Sequence, residues 1–189
     1  CARLAKFTVA AKLAGAGFFA GIPGTVGGAL AMNAGAHGGE TWDTLTEAEV
    51  MRRDGTTAWL PKSAFRYGYR HVEFPADVIG FLAARFTFKP DVDGCAEADM
   101  KRWLARRKAT QPVGRPTAGS TFRNPPGDHA ARLIEHCGLK GHRIGGAEVS
   151  TLHANFIITD ETAKAADVEQ LIAHIGDVVF EKSGVRLEP

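Results

Sequence analysis

From Gly21 to Gly39 the chain reads Gly-Ile-Pro-Gly-Thr-Val-Gly-Gly-Ala-Leu-Ala-Met-Asn-Ala-Gly-Ala-His-Gly-Gly. This stretch restricts the fold more than any other. It is too irregular for a linker and too apolar for a disordered tail. It must therefore fold, and its backbone admits two uses. N–H groups without Cβ neighbours can approach a phosphate or a flat ring, with Pro23 stiffening the turn. Alternatively, the stretch is a folded connection between strands. Composition leaves both open.

The chain has 189 residues, enough for one domain or two small ones with a real core. It is 44% hydrophobic and 23% charged, which excludes wholesale disorder. A net charge of +2 gives no footprint for nucleic acid or a membrane surface. No apolar run approaches the roughly 20 residues of a membrane span. The expectation is a protein with neither kind of partner, acting as a monomer. Cys1, Cys95 and Cys137 are odd in number and widely spaced, with no CxxC. That argues against a disulfide framework or zinc cluster and predicts a reducing, cytoplasmic setting.

Along the chain, residues 1–13 predict a helix ended by Gly15 and Gly17. Residues 50–60 predict a hairpin turning at Asp54-Gly55. Residues 78–89 predict a strand and residues 96–108 a helix. Two prolines and two glycines between Gln111 and Gly119 predict a domain boundary. Asp128 is expected to N-cap a helix ending at Gly138. Residues 155–159 predict a short strand. Val168, Leu171, Ile172, Ile175 and Val179 share one face of a last helix, terminated by Gly184. Strands and helices mix without βαβ regularity, so the expected class is α+β.

Several clusters could carry chemistry. Gly15-Ala-Gly17-Phe-Phe-Ala20 has the loose form of a dinucleotide fingerprint, but a helix precedes it and a loop follows, the wrong context. Phe65-Arg-Tyr-Gly-Tyr-Arg70 places two arginines where they could bind a carboxylate or an enolate, or could simply stack on tyrosines. Ser120 follows Gly119, but Phe122 excludes a G-x-S-x-G elbow. A loop serine can also be a turn or cap residue. His136, His142 and His153 lack metal-ligand spacing. Lys140, His142 and Arg143 form a short basic cluster, suited to phosphate or to a solvated face.

Taken in order, further segments carry a resemblance. They are Ala20-Gly-Ile-Pro-Gly-Thr-Val-Gly-Gly-Ala, Met32-Asn-Ala-Gly-Ala, Tyr69-Arg70, Thr110-Gln-Pro112 and Ala118-Gly-Ser-Thr-Phe-Arg-Asn-Pro125. They continue through Leu133-Ile-Glu135, Gly138-Leu-Lys-Gly141, Ile144-Gly-Gly-Ala147, Val149-Ser150, His153-Ala-Asn-Phe156 and Gly184-Val-Arg-Leu-Glu-Pro189. The set resembles the UDP-N-acetylenolpyruvoylglucosamine reductase family, flavoenzymes also called UDP-N-acetylmuramate dehydrogenases. The resemblance implies FAD as cofactor, NADPH as hydride donor and a UDP-sugar enolpyruvate as substrate, in peptidoglycan precursor synthesis. It implies that Gly21, Ile22, Pro23, Gly24, Val26, Gly27, Gly28, Asn33, Ala34, Gly35 and Ala36 lie against the flavin and its diphosphate. It assigns enolate stabilisation to Arg70 and proton donation to Ser120. It places Arg107, Asn124 and His153 on the substrate.

The resemblance also implies two domains. Residues 1–112 would be the second half of a two-part FAD-binding domain, and residues 113–189 a substrate-binding domain. The family's first flavin subdomain, with its Gly-Ser-Asn motif, is expected before Cys1, and a catalytic glutamate after Pro189. Glu188 precedes that proline and does not take the role. No tyrosine-rich insertion lies between Phe88 and Ala96, so the likeness is to the shorter type. Val72 stands where a small polar residue is expected. Two other readings stay open: a non-catalytic nucleotide-sugar-binding fragment, and another FAD-linked carbohydrate oxidoreductase on the same scaffold.

Overall fold

The last helix forms where the apolar period puts it. In the computed structural model, which describes all of Cys1–Pro189, it runs over Ala165–Ser183. Leu171, Ile175 and Val179 are buried, with Val168 and Ile172 at the edges of the same stripe. Gly184 follows it in the left-handed region, at φ 72°.

The chain divides into two compact units, Cys1–Arg106 and Arg107–Pro189. All strand pairings are antiparallel, and the class is α+β.

In the first unit, the strand Leu45–Arg52 lies between Thr57–Pro61 and Val78–Phe86. The Asp54-Gly55 turn forms as expected: Met51 pairs with Thr57, and the Asp54 carboxylate accepts from the Thr56 amide at 2.9 Å. Leu45, Ala48 and Val50 are the buried residues of the central strand. The step of three between the first two departs from strand period because the register slips between Leu45 and Glu47. Thr46 sits in that bulge and donates its hydroxyl to the Arg85 carbonyl at 2.9 Å. Trp42, Phe65, Val72 and Val78 close one core beside this sheet. Val72, unexplained in sequence, is therefore an apolar residue filling that core. A second core gathers Ala5, Phe18, Phe19, Ile22 and Met100.

Three local expectations need correction. The first helix covers only Ala2–Ala10. Lys12 turns left-handed, at φ 56°, and Leu13–Ala14 become a strand paired with Lys89–Pro90. Neither Gly15 nor Gly17 ends the helix; Gly17 is instead packed, since a Cβ there would lie 2.6 Å from the Trp103 ring. The helix expected after Asp128 spans Ala130–His136, with His129 at the cap position. The side chain that caps it is Asn124, whose Oδ1 accepts from the Ala130 amide at 3.1 Å. Asp128 pairs with Arg132 one turn on, and that guanidinium, more than the His129 amide, draws its carboxyl down to about 2. The strand expected over residues 155–159 covers Ile157–Thr159.

The second unit packs the helices Ala130–His136 and Ala165–Ser183 with a three-stranded sheet of Arg143–Ile144, Ala147–Val149 and Ile157–Thr159. The Gly145-Gly146 turn is a docking point for the long helix. Asp167 accepts from the Lys164 amide at 3.0 Å and the Gly146 amide at 3.1 Å. Those two donors hold its carboxyl below the ordinary range. Any Cβ at Gly146 would lie 2.4 Å from the Ala163 backbone.

Candidate functional site

Two sets of residues stand out, one in each unit. The first begins at Thr25, whose side chain accepts from the Gly28 amide at 3.1 Å and starts the short helix Val26–Ala31. Gly27 and Gly28 lie within that helix and are exposed. A Cβ at either would meet nothing closer than the Thr25 hydroxyl, at 3.9 Å and 3.5 Å. Each glycine costs the helix about 1 kcal/mol relative to alanine. No packing in the chain requires that cost. Bare backbone kept free of side chains fits close approach by a ligand. Pro23 and Gly24 are exposed beside them.

The other residues expected against the flavin are placed differently. Ile22 is buried in the core, and Ala34 and Ala36 pack on it. A Cβ at Gly21 would lie 3.0 Å from the His37 ring, and one at Gly35 would lie 2.7 Å from the Gly39 carbonyl oxygen. Val26 packs against the core around Trp42. Asn33 is buried, and protein groups engage both ends of its side-chain amide. Its Nδ2 donates to Glu40 at 2.8 Å and to the Gly68 carbonyl at 3.1 Å, and its Oδ1 accepts from the Trp42 amide at 3.0 Å.

Gly68 leads directly to Arg70. The hairpin Arg66–Gly68 and His71–Glu73 turns through Tyr69 and Arg70 alone. Arg70 takes φ 53°, a left-handed conformation that costs a residue with a Cβ about 1–2 kcal/mol. Its guanidinium makes no ion pair or hydrogen bond within the chain and lies over the Tyr69 ring, 5.9 Å from its centroid. Strain concentrated on an unpaired cation is the pattern of a residue shaped for a ligand.

The second set surrounds Ser120. It follows Gly119, at φ 89°, and forms an isolated antiparallel bridge with Phe156. Its hydroxyl has no hydrogen-bond partner in the chain. It lines a cavity of about 440 Å³ whose other walls include Pro116, Ala118, Ile157, Val168, Ile172 and Pro189. Asn155 holds this segment in place. Its backbone carbonyl accepts from the Thr121 amide at 2.8 Å, and its side chain exchanges two hydrogen bonds with Phe122, both 2.9 Å. Sequence reading gave Asn155 no role. The available signal was a polar residue inside the run Ala154-Asn-Phe-Ile-Ile158, which must be hydrogen-bonded if buried.

His153 shares this region: its ring meets Phe156 edge-on at 4.7 Å, and its Nδ1 accepts from the Asn155 amide at 3.3 Å. Burial pushes its pKa below the ordinary 6.5. Below that value the unfolded chain binds the proton more readily than the folded one. His153 thus adds stability that is present above pH 6.5 and lost as pH falls through the folded-state pKa. The melting temperature of the wild type should drop more steeply than that of His153→Gln on going from pH 7.5 to about 5.5. Parallel curves would show that His153 does not contribute.

Asn124 spends its carbonyl oxygen on the Ala130 amide, and Arg107 donates Nε to Gln111 at 3.1 Å. The basic cluster is internally neutralised. Lys140 pairs with Glu135, and Arg143 pairs with Glu148 and Asp160. His142 stacks on His174 at 4.4 Å.

Comparisons with known proteins agree with one another. Residues 111–189 match the family described as UDP-N-acetylenolpyruvoylglucosamine reductase, C-terminal domain, and residues 1–61 match the FAD binding domain family. A UDP-N-acetylenolpyruvoylglucosamine reductase of Methylococcus capsulatus is 52% identical over 189 residues, covering 100% of this chain and 62% of the relative. One of Alkalilimnicola ehrlichii is also 52% identical, with 63% of its length covered. The crystal structure of UDP-N-acetylenolpyruvylglucosamine reductase from Thermus caldophilus superposes with a TM-score of 0.85 at 36% identity, over 98% of this chain and 66% of that one. The chain thus spans about three-fifths of the length of the curated relatives it matches. Through its whole length the chain is similar to those reductases, and its residues 111–189 belong to the family of the UDP-N-acetylenolpyruvoylglucosamine reductase C-terminal domain.

Proposed function

We propose that this chain is part of an enzyme that reduces UDP-N-acetylglucosamine enolpyruvate to UDP-N-acetylmuramate, using FAD and NADPH, in peptidoglycan precursor synthesis. The observation that carries the reading is Arg70: an unpaired guanidinium held left-handed at the tip of a two-residue turn. A cytoplasmic monomer is part of the proposal; the three unpaired cysteines suit a reducing compartment. No helix is long and apolar enough to cross a membrane.

The exposed backbone of Gly24, Gly27 and Gly28, beside Pro23, fits the flavin nucleotide, because a Cβ at any of the three glycines would meet nothing closer than the Thr25 hydroxyl. FAD, when bound, supplies the hydride that originates on NADPH. Arg70 binds the substrate carboxylate and stabilises the negative charge that develops when hydride adds to the methylene carbon. The electron pair of the double bond moves onto the neighbouring carbon and its carboxylate. Ser120 gives the Oγ proton to that carbon and regains a proton from water. Arg107, the amide nitrogen of Asn124 and the neutral ring of His153 hold the UDP-sugar.

The test is optical. Full-length protein should purify yellow, lose its visible band on adding NADPH without oxygen, and regain it on adding the enolpyruvyl substrate. A protein that stays colourless with added FAD overturns the proposal.

A further inference from the structure

We infer that Asn33 is not a cofactor contact but a positioning residue, setting the turn that carries Arg70. The inference rests on the role proposed above for Arg70. The Arg66–Glu73 hairpin has three residue pairs and joins no larger sheet. A two-stranded ribbon of that size does not hold its own shape in water. Something outside it must fix the turn, most of all when one of the two turn residues is left-handed and is not glycine.

Two clamps do so. Trp42 stacks on Tyr67, ring centroids 5.0 Å apart, and holds one end. Asn33 donates to the Gly68 carbonyl at 3.1 Å and holds the peptide that enters the turn. The two clamps are one assembly, because the Trp42 amide donates to Asn33 Oδ1 and the Trp42 indole donates to the Leu30 carbonyl at 2.7 Å. Glu40 accepts the remaining amide proton of Asn33 at 2.8 Å. Asn33 is itself left-handed, at φ 43°, a conformation asparagine tolerates better than most residues. An amide is the side chain that can donate twice and accept once from this position.

Asn33→Asp isolates the donor. Aspartate keeps the acceptor for Trp42 and the tolerance for positive φ, and loses both amide donors. Asn33→Gly removes the side chain while leaving the backbone relaxed, and serves where the aspartate repels Glu40 enough to unfold the protein. In full-length enzyme loaded with FAD, either variant should leave bleaching by NADPH within about twofold and slow reoxidation by the enolpyruvyl substrate at least ~10-fold, since misplacement of about 1 Å can cost 10²-fold. Amides of Tyr69 to Val72 should exchange with deuterium faster, a readout that needs no turnover. In an Arg70→Ala background the Asn33 change should add no further loss in reoxidation. If the losses add while Arg70→Ala alone is impaired, the positioning role is overturned and the proposed function stands. If Arg70→Ala reoxidises at the wild-type rate, the role of Arg70 fails, and that of Asn33 fails with it. Exchange unchanged in a folded variant also overturns it.

Discussion

In full-length protein with the proposed activity, replacing Ser120 with alanine should leave the NADPH half-reaction intact and slow flavin reoxidation by the enolpyruvyl substrate at least ~10²-fold, the cost of losing a positioned general acid. An alcohol is a poor acid in water. It serves only where it is held in place and where the charge it leaves behind is stabilised. The placement here meets the first need. Bridge pairing to Phe156 and the Asn155 hydrogen bonds fix the segment, and Ser120 lines a largely apolar cavity. A cavity of that kind strengthens electrostatic contacts and limits competing protons from water. The hydroxyl satisfies no other group of the chain, so Ser120→Ala should fold with a stability within about 0.5 kcal/mol of wild type. Stopped-flow absorbance separates the half-reactions. Equal slowing of both would show that Ser120 does not deliver the proton.

What could be read in the sequence was what depends on local period. Leu171, Ile175 and Val179 announce a helix face because burial recurs every 3.6 residues. The Asp54-Gly55 turn follows from residues that accept such a turn. What escaped depends on partners distant in the chain. Asn33 sits among glycines, and its neighbours suggested a ligand, yet its partners are Glu40, Trp42 and Gly68, up to 35 positions away. Asp128 looked like a cap because it precedes a helical pattern; the capping oxygen arrives from Asn124, six residues from Ala130. Lys140 and Arg143 suggested an anion site until the fold brought Glu135, Glu148 and Asp160 to them. Lys12 turned left-handed where only Gly15 and Gly17 advertised a turn. Arg70 was legible as a candidate but its strain was not, since no composition rule puts arginine at positive φ.

That strain gives the second large effect, and it separates stability from function at one position. Arg70→Ala should reduce the rate of substrate-dependent reoxidation about 10²- to 10³-fold, the scale seen when a single group aimed at developing negative charge is removed. Arg70→Lys should recover only part of this, because an ammonium keeps the charge but lacks the planar fork that binds a carboxylate through two hydrogen bonds. Arg70→Gly is the informative variant. Glycine occupies φ 53° without the Cβ penalty, while its greater freedom in the unfolded chain offsets part of the gain. The guanidinium makes no ion pair whose loss would count against folding. Its melting temperature should therefore equal or exceed that of the wild type while its reoxidation rate falls as far as that of alanine. Alanine at the same position keeps the backbone cost and should melt below glycine. The order Gly above Ala in melting temperature, with both equally slow, is what a strained catalytic arginine requires. If glycine melts below alanine, the left-handed turn is not a source of strain. A lysine variant with full activity would mean that the bidentate contact has no part in the reaction.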